Sequence, residues 1–284
     1  MKILIIGAGG MLGSAVVRYL SKEELIVADR PEWDITKEEE LRTKVLNILP
    51  DLVINCAAFT NVEAAESQRE LVFQINARGP LYLATITRQL DIPLLHISTD
   101  YVFDGQALNG YNEDDVTSPL NVYGQSKEQA EKNITATCQK YYIIRSSWLF
   151  GPSLKIKGKM GKKNFVDKML ESAQDQKVIK VVNDQYSKPT YTNDLAVAIR
   201  ENFVKKSPAY GFYHLANEGS ASWLNYAEEI FKQKKMIVKL LPVPCSSFFT
   251  QAKRPKNSSL NNNKLPKLRP WPAALADYLK KINH

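Results

Sequence analysis

A tyrosine and a lysine four residues apart, Tyr123 and Lys127, are the first candidates for chemistry in this sequence. Four residues make about one helical turn, so both side chains are expected on one face of a helix. A phenol beside an ammonium can protonate a carbonyl oxygen, because the positive charge lowers the pKa of the phenol. The hydroxyl of Thr99, further upstream, could hold that carbonyl. The pair could equally begin an ordinary amphipathic helix, so the surrounding sequence has to distinguish a catalytic pair from a simple helix start.

The N-terminal residues supply that context. Residues 1–6 form a short apolar run typical of a buried parallel strand, and residues 14–20 have the character of a helix. A glycine-rich turn between a strand and a helix is the setting in which a dinucleotide pyrophosphate is bound. Gly7 permits the tight turn, Gly10 lets the backbone approach the pyrophosphate, and Gly13 lets the helix pack closely on the strand.

An acidic and a basic residue stand side by side where the second strand is predicted to end, Asp29 and Arg30. An acid at this place commonly binds the hydroxyls of the adenosine ribose, whereas an arginine can accept a 2′-phosphate. The pair does not decide between NADH and NADPH, although Arg30 favours NADPH slightly. Arg30 could also be a solvated loop residue before Pro31.

Strand-like and helical segments alternate through the first half of the chain. This order predicts right-handed crossovers and an α/β fold with a Rossmann-like, doubly wound parallel sheet. Ligands of such sheets bind at the carboxyl ends of the strands, and the candidate residues follow predicted strands. The predicted strands cover residues 1–6, 25–30, 52–55, 93–98 and 141–145, and the predicted helices cover residues 14–20, 37–49, 69–90 and 126–137.

The second half is less regular and predicts a smaller C-terminal lobe that closes over a substrate. We expect a dinucleotide-binding domain in residues 1–150 and a mainly substrate-binding lobe in residues 151–284, with some segments returning to the first domain. Residues 242–272 are rich in Pro, Ser and Asn and are predicted to be loop. Further helices are predicted over residues 165–173, 193–203 and 222–234, and Trp223 in the last of them is expected to be a core residue because of its helical spacing.

The composition is that of a soluble globular protein, with 44% hydrophobic and 24% charged residues and no apolar run of membrane-spanning length. Met1 leads directly into the first strand, so no signal peptide is expected. The scattered cysteines Cys56, Cys138 and Cys245 favour reduced thiols over a disulfide or metal site, and the histidines lack metal-ligand spacing. These features predict a cytoplasmic protein without zinc.

The net charge of +8 favours anionic partners. Lysine and arginine are spread along the chain without a nucleic-acid-binding motif, so we expect a polyphosphate cofactor and a nucleotide-linked substrate, and no nucleic acid. One dense basic run, residues 155–163, is typical of a solvated loop. Alternatively, it forms a flap that meets a diphosphate.

Longer stretches of the chain resemble the dTDP-4-dehydrorhamnose reductases, a family within the extended short-chain dehydrogenase/reductases. The resemblance spans nearly the full chain, and the Ser-Thr-Asp-Tyr-Val-Phe run that begins at Ser98 is distinctive for this branch. It implies NADPH- or NADH-dependent reduction of the C4 ketone of dTDP-4-dehydro-L-rhamnose, the last step of dTDP-L-rhamnose synthesis for a surface polysaccharide. Other matching segments are residues 53–60, 121–127, 145–151, 164–165, 184–185, 189–190, 194–196, 211–215 and 253–255.

The resemblance also implies roles for individual residues. Tyr123 would protonate the nascent C4 oxygen, Lys127 would lower the pKa of Tyr123 and bind the nicotinamide ribose, and Thr99 would orient the carbonyl. The implied cofactor-binding residues, besides Tyr123 and Lys127, are Gly7, Gly10, Met11, Leu12, Gly13, Asp29, Arg30, Asp34, Ile35, Ala57, Ala58 and Phe59. The implied substrate-binding residues are Thr99, Asp100, Trp148, Asn164 and Arg254.

Departures from the family pattern fall in the predicted substrate lobe. Asn183 stands where the family often has Asp, Ser187 where it often has Gly, and Asn261 where an acidic residue is usual. The basic insertion over residues 154–163 is also longer than usual. The exact sugar nucleotide therefore stays open. Some members form a metal-bridged dimer through acidic residues that cannot be mapped here, so magnesium and a homodimer stay open as well.

Three other functions occur in proteins with this fold or fingerprint. A dehydratase needs an acid pair after Thr99, but Tyr101 follows Asp100 where the Glu would stand. An epimerase would usually have a Ser-rich run before its Tyr and a longer substrate lobe. A non-catalytic NADP-binding regulatory subunit is compatible with the sequence, because a fold and its fingerprint specify binding and not turnover.

Overall fold

The computed structural model describes residues 1–152, 163–175 and 178–282, together with the backbone of residues 155–156 and 159–160. Among the described residues, the strands are β1 (Lys2–Ile6), β2 (Glu24–Ala28), β3 (Leu52–Asn55), β4 (Leu94–Thr99), β5 (Tyr141–Ser146), β6 (Leu149–Phe150), β7 (Lys155–Ile156), β8 (Lys159–Met160), β9 (Val178–Val182), β10 (Tyr186–Ser187), β11 (Thr190–Tyr191), β12 (Gly211–His214), β13 (Ala221–Ser222) and β14 (Lys239–Val243).

The helices of the same residues follow in chain order. They are α1 (Met11–Tyr19), α2 (Glu38–Ile48), α3 (Val62–Ser67), α4 (Arg69–Phe73), α5 (Gly79–Leu90), α6 (Val122–Thr137), α7 (Phe165–Asp175), α8 (Thr192–Ile199), α9 (Trp223–Gln233) and α10 (Trp271–Lys281). Two π-helical turns, Gln74–Arg78 and Arg200–Val204, continue α4 into α5 and extend α8. Short 3₁₀ turns form at Asp100–Val102 and Cys245–Ser247. No helix among the described residues combines the length and apolar character that a bilayer crossing requires.

Six parallel strands in the order β12-β5-β4-β3-β1-β2 form the main sheet. Side chains of β1 alternate between its faces: Ile3 and Ile5 pack with α1 and α8, whereas Leu4 and Ile6 pack with α2 and α5. Burial on both faces is typical of parallel strands and explains their continuous apolar sequences. The predicted Rossmann-like, doubly wound sheet is confirmed.

The sixth strand, β12, was not predicted from the sequence. It has four residues and lies at the sheet edge, where it pairs with β5. A segment this short has too few residues to show a period, so its pairing with a buried neighbour decides its conformation. Residues from the C-terminal half thus return to the first domain, as does α8, which packs on α1.

A second core holds the C-terminal lobe together. Helices α7, α9 and α10 bury their apolar sides around Phe150, Tyr226 and Tyr278, with β9 beside them. Residues 242–272, predicted as loop, are largely irregular after β14 ends. This segment crosses back over the first domain, because Asn121 Nδ2 donates to the carbonyl oxygen of Lys253 at 2.8 Å. The basic run over residues 155–163 lies mostly outside the described residues.

Candidate active site

The glycine-rich turn after β1 forms a tight cradle. Gly7 has a φ of +76°, and a Cβ there would lie 2.5 Å from the amide nitrogen of Ala57. A Cβ on Gly13 would lie 2.2 Å from the carbonyl oxygen of Gly7, so only glycine allows α1 to approach the strand this closely. Among the described residues, a Cβ on Gly10 would contact the carbonyl oxygen of Gly7 at 3.3 Å and no other atom, so the space around Gly10 is otherwise open.

The N-terminus of α1 is suited to an anion. Gly10 caps the helix without a side-chain hydrogen bond, and the first turn, which begins with Met11 and Leu12, contains no acidic residue. The free N–H groups of the first turn therefore have no capping side chain from Gly10, and no carboxylate of the first turn offsets the positive end of the helix dipole. The cradle and this helix end together fit the pyrophosphate of a dinucleotide.

The Gly13→Ala variant should test the cradle. We expect a loss of about 1–3 kcal/mol in stability, because the methyl group forces α1 away from backbone atoms that cannot move independently. NADPH binding should weaken in the same variant. Thermal unfolding and a fluorescence titration measure the two effects, with Gly10→Ala as a control that keeps the fold. An unchanged unfolding temperature in Gly13→Ala would contradict the close packing.

The residues predicted for the adenosine end lie together after β2. Asp29 follows the last residue of the strand and accepts a hydrogen bond from the backbone N–H of Arg30 at 2.9 Å. The exposed guanidinium of Arg30 lies 4.0 Å from the carboxylate of Asp34. Ile35 is buried, and its side chain would be 2.6 Å from a Cβ on Gly79. An acid, Asp29, and an exposed cation, Arg30, are therefore both close to the predicted ribose site.

The loop after β3 is the other wall predicted for the cofactor groove. Ala57, Ala58 and Phe59 are half-buried. Asn55 Oδ1 accepts from the N–H of Ala57 at 3.0 Å, and Asn76 Oδ1 accepts from the N–H of Phe59 at 2.7 Å. Two buried amides therefore hold the conformation of this loop.

Tyr123 lies in the first turn of α6, with its ring edge-on to the Tyr101 ring at a centroid distance of 6.0 Å. Burial raises the pKa of Tyr123 to about 12, a hydrogen bond between Tyr123 and Thr99 lowers it, and the charge of Asp100 raises it further. The structure therefore corrects the prediction of a lowered pKa. A phenol with this pKa stays protonated at neutral pH, which is the state a proton donor needs.

Lys127 lies one turn further along α6, and its side chain is completely buried. Its ammonium nitrogen Nζ is 2.6 Å from the carbonyl oxygen of Ile97 and 3.0 Å from His96 Nε2. Burial lowers the pKa of Lys127 to about 8, while Glu131 and Cys56 raise it. The groups that shift the pKa of Tyr123 are those around its own ring, Thr99 and Asp100, besides burial.

Asp100 binds protein groups in this structure. Its buried carboxylate accepts hydrogen bonds from the hydroxyls of Ser258 at 2.5 Å, Ser187 at 3.0 Å and Thr99 at 3.1 Å. Burial raises the pKa of Asp100 to about 6 against these stabilising hydrogen bonds. Ser187, at a departure from the family pattern, thus helps to join the C-terminal lobe to the end of β4. A substrate contact of Asp100 stays a prediction.

A cavity of about 1260 Å³ lies between the first domain and the C-terminal lobe. Its wall includes the basic residues Lys253, Arg254 and Lys256 and the aromatic residue Phe248. The Arg254 guanidinium is partly buried and lies 2.8 Å from the carboxylate of Glu63 in α3. The volume suits a ligand larger than a typical drug-sized molecule, and the cations suit a diphosphate.

Trp148 is held in place by a second tryptophan, which contacts the cavity wall. Its backbone has a φ of +42°, and its ring stacks on Trp223 with a centroid distance of 3.5 Å and an angle of 11°. Trp223 Nε1 donates to Gln185, which lines the cavity, at 3.3 Å. Trp223 was expected to be a core residue, and its helical spacing gave no sign of this stacking.

Asn164 has a structural role at the start of α7. Its amide nitrogen donates to the carbonyl oxygen of Gly151 at 3.0 Å and to the Tyr278 hydroxyl at 2.9 Å. Its amide oxygen accepts from the N–H groups of Val166 and Asp167 at the start of α7. These bonds use the hydrogen-bonding capacity of the side chain, which leaves no group for the substrate contact that was predicted.

Two buried residues near the site were missed in the sequence. His96 contacts Lys127, although the histidines were considered only as metal ligands. Asn76, in the π-helical turn, donates to the carbonyl oxygen of Phe59 and to Ser126 Oγ, so it links the groove wall to α6. A polar residue within an apolar strand or helix was the available signal, because such a group needs a partner.

The cradle and the Tyr–Lys pair lie at the carboxyl edge of a parallel sheet, which defines a Rossmann-type dinucleotide-binding protein. Among the described residues, no group of three or more His, Cys, Asp or Glu could hold a metal ion. Residues 1–284 match the family model for the RmlD substrate binding domain. Together with its relatives, this match shows that the chain belongs to the dTDP-4-dehydrorhamnose reductase family.

Individual relatives agree over nearly their whole length. A dTDP-4-dehydrorhamnose reductase of Aggregatibacter actinomycetemcomitans is 35% identical over 277 residues, 93% of this chain and 92% of the relative. The spore coat polysaccharide biosynthesis protein SpsK of Bacillus subtilis is 35% identical over 286 residues, 99% of this chain and 97% of SpsK. The structure of a Bacillus anthracis dTDP-4-dehydrorhamnose reductase in complex with NADP matches with a TM-score of 0.92, 34% identity and 99% coverage of each chain. The resemblance found in the sequence is confirmed.

Proposed function

We propose that the protein reduces the C4 ketone of dTDP-4-dehydro-L-rhamnose to dTDP-L-rhamnose, with NADPH as the preferred hydride donor. The observation that carries this proposal is a buried Tyr123, protonated at neutral pH and hydrogen-bonded to Thr99, in the first turn of a helix that contacts the cavity wall. Asn121, the residue that caps its helix, hydrogen-bonds to Lys253 in the cavity wall. This link supports a role for Tyr123 as the proton donor to a ketone bound in the cavity.

Each part of the reaction has a candidate among the residues of this chain. Gly7, Gly10 and Gly13 would hold the pyrophosphate, and bound NADPH would supply the hydride. Tyr123 would donate its proton to the oxygen of the reduced ketone, and Thr99 would orient that oxygen. Holding both partners in place contributes as much as the proton itself, because a bimolecular step becomes effectively unimolecular.

The choice of NADPH has two supports. Arg30 is exposed beside Asp29 at the end of β2, where a guanidinium can accept a 2′-phosphate. The Bacillus anthracis relative is in complex with NADP. NADH would lack this contact, and we expect it to be the poorer donor.

The sugar nucleotide is assigned to the cavity. Lys253, Arg254 and Lys256 line the cavity and offer three cations for its diphosphate. Trp148, which stacks on Trp223, would contact the sugar. The supply of rhamnose to a surface polysaccharide has support from SpsK, a spore coat polysaccharide biosynthesis protein. A cytoplasmic location, a homodimer and a role for magnesium stay predictions.

The test is oxidation of NADPH and NADH, followed at about 340 nm, with dTDP-4-dehydro-L-rhamnose as substrate. We expect rapid, substrate-dependent loss of absorbance that is faster with NADPH. dTDP-glucose, which has no ketone, is the matched control and should give no loss. If NADPH binds but dTDP-4-dehydro-L-rhamnose causes no oxidation, the proposed reaction is wrong, and a regulatory role or another sugar nucleotide would replace it.

A further inference from the structure

Glu63 in α3 binds the basic wall of the cavity with both of its carboxylate oxygens. Oε1 accepts a hydrogen bond from the Arg254 guanidinium at 2.8 Å, and Oε2 accepts one from the backbone N–H of Gln251 at 3.0 Å. The backbone N–H of Ala252 also donates to this carboxylate. One side chain of the first domain therefore holds a short part of the wall, residues 251–254, hereafter the wall segment.

The wall segment is tied to α3 at the point where the chain leaves the solvent. Residues 246–251 are exposed, whereas Ala252 is 1% exposed and lines the cavity together with Lys253 and Arg254. Asn121, the cap of α6, donates to the carbonyl oxygen of Lys253 at 2.8 Å. Glu63 and Asn121 thus anchor the wall segment to α3 and α6.

The orientation of the Arg254 guanidinium depends on its outer nitrogens. Its Nε is buried and has no hydrogen-bond partner among the described residues, so the group is not fixed from the side of its aliphatic stem. Nη2 donates to Glu63, and the Tyr101 hydroxyl also interacts with the guanidinium. An arginine has more N–H donors than these two partners accept, so Arg254 can bind an anion while Glu63 holds it.

The contacts of Glu63 amount to more than a surface ion pair. Burial raises the pKa of Glu63, but the hydrogen bond and charge of Arg254 and the N–H groups of Gln251 and Ala252 lower that pKa below its usual value, so the carboxylate is charged at neutral pH. An isolated ion pair whose side chains are 39% and 28% exposed would contribute little. Here the same carboxylate also binds the backbone that carries Arg254, which gives the pair a fixed geometry.

We propose that Glu63 is a positioning residue that orients Arg254 for the diphosphate of the substrate, and so increases substrate affinity without contacting the substrate. The inference rests on the proposed function, which assigns the diphosphate to this cavity. A guanidinium binds a phosphate best through two parallel N–H···O bonds, and these require a defined plane. Because Glu63 fixes that plane before the substrate arrives, less freedom is lost on binding.

Positioning and simple electrostatics predict opposite results when Glu63 loses its charge. A carboxylate beside an anion site repels the anion, so by charge alone its removal should strengthen diphosphate binding. Glu63 is 39% exposed, and water and salt therefore screen this repulsion. The loss of a defined guanidinium plane is not screened. We therefore expect Glu63→Gln, which keeps the size of the side chain, to weaken diphosphate binding by about tenfold.

Isothermal titration calorimetry with dTDP measures this affinity without turnover. Saturating NADP⁺ is present, so that the glycine cradle is not available to the diphosphate of dTDP. The dissociation constant of dTDP should rise by about tenfold in Glu63→Gln. In steady-state kinetics, KM for dTDP-4-dehydro-L-rhamnose should rise similarly while kcat changes little. A merely structural role would also change kcat, NADPH affinity and the unfolding temperature, which we expect to stay close to their wild-type values.

Glu70→Gln is the matched control. Glu70 lies on the next helix, α4, where it is 71% exposed and pairs with Arg78 at 3.1 Å, so this variant makes the same change of charge. Its dTDP affinity should equal that of the wild type. Arg254→Met should itself weaken dTDP binding, and Glu63→Gln should have no further effect in that background, because Glu63 acts through Arg254.

A dTDP affinity in Glu63→Gln equal to or higher than that of the wild type would overturn the inference. An effect of about tenfold that persists in the Arg254→Met background would overturn it as well. If the wild type does not bind dTDP, the inference and the assignment of the cavity are both wrong. A protein that shows the expected shifts with dTDP but does not reduce dTDP-4-dehydro-L-rhamnose would disprove the proposed reaction alone.

Discussion

Tyr123→Phe should lower kcat by about 10²–10⁴ while it leaves NADPH affinity nearly unchanged. The substitution removes only the hydroxyl that would protonate the C4 oxygen. The remaining ring keeps its edge-on contact with Tyr101, so the turn of α6 and the groove wall should stay in place. Steady-state kinetics with NADPH and a fluorescence titration of NADPH measure the two quantities separately.

Tyr101→Phe is a suitable comparison. This neighbouring phenol is also buried, and its hydroxyl interacts with Arg254 of the cavity wall. Its loss should raise KM for the sugar nucleotide and change kcat little, because Tyr101 holds a binding residue and not the reacting oxygen. A Tyr123→Phe enzyme with a kcat close to that of the wild type would remove Tyr123 from the proton transfer.

Arg145→Met should destabilise the protein by about 3–5 kcal/mol. Arg145, in β5, makes two hydrogen bonds to Glu131, at 2.7 Å and 3.0 Å, and both side chains are 4% exposed. Ser98 also donates to this carboxylate, at 2.5 Å. Without the arginine, Glu131 is left as a buried charge that water cannot solvate. Urea unfolding followed by circular dichroism measures the loss.

The double variant Arg145→Met/Glu131→Gln separates the cost of an unpaired Glu131 carboxylate from the cost of the lost arginine packing. Removing the charge of Glu131 together with its partner should recover part of the stability, since the uncompensated carboxylate is gone. A double variant as unstable as Arg145→Met would assign the effect to packing of the arginine between Phe103 and Phe212. A cost below about 1 kcal/mol for the single variant would contradict a buried ion pair.

The local sequence was sufficient to predict an element wherever its conformation depends on residues close together in the chain. The helix predicted over residues 69–90 is present, because its spacing and composition favour a helix throughout. The π-helical turn within it was not predicted, since Asn76 turns toward Phe59 and Ser126 only in the folded protein. Ser222 likewise caps α9 close to where the sequence placed the helix start.

Residue roles were harder to predict than elements. Asn164 matched a family segment, but only the structure shows that its amide is consumed at the start of α7. Trp223 had the spacing of a core residue, but it is half-buried and stacks on Trp148. Both outcomes depend on partners distant in sequence, which periodicity within one helix does not identify.

The sequence by itself determined the dinucleotide cradle, the parallel α/β sheet and the placement of Tyr123 and Lys127 on one helix. These features follow from glycine conformation, strand burial and helical spacing, which act over a few residues. Only the tertiary structure decided the charge states of the site. Burial raises the pKa of Tyr123 and lowers that of Lys127, and His96 comes into contact with Lys127, because solvation and hydrogen-bond partners depend on segments that meet only in the folded chain.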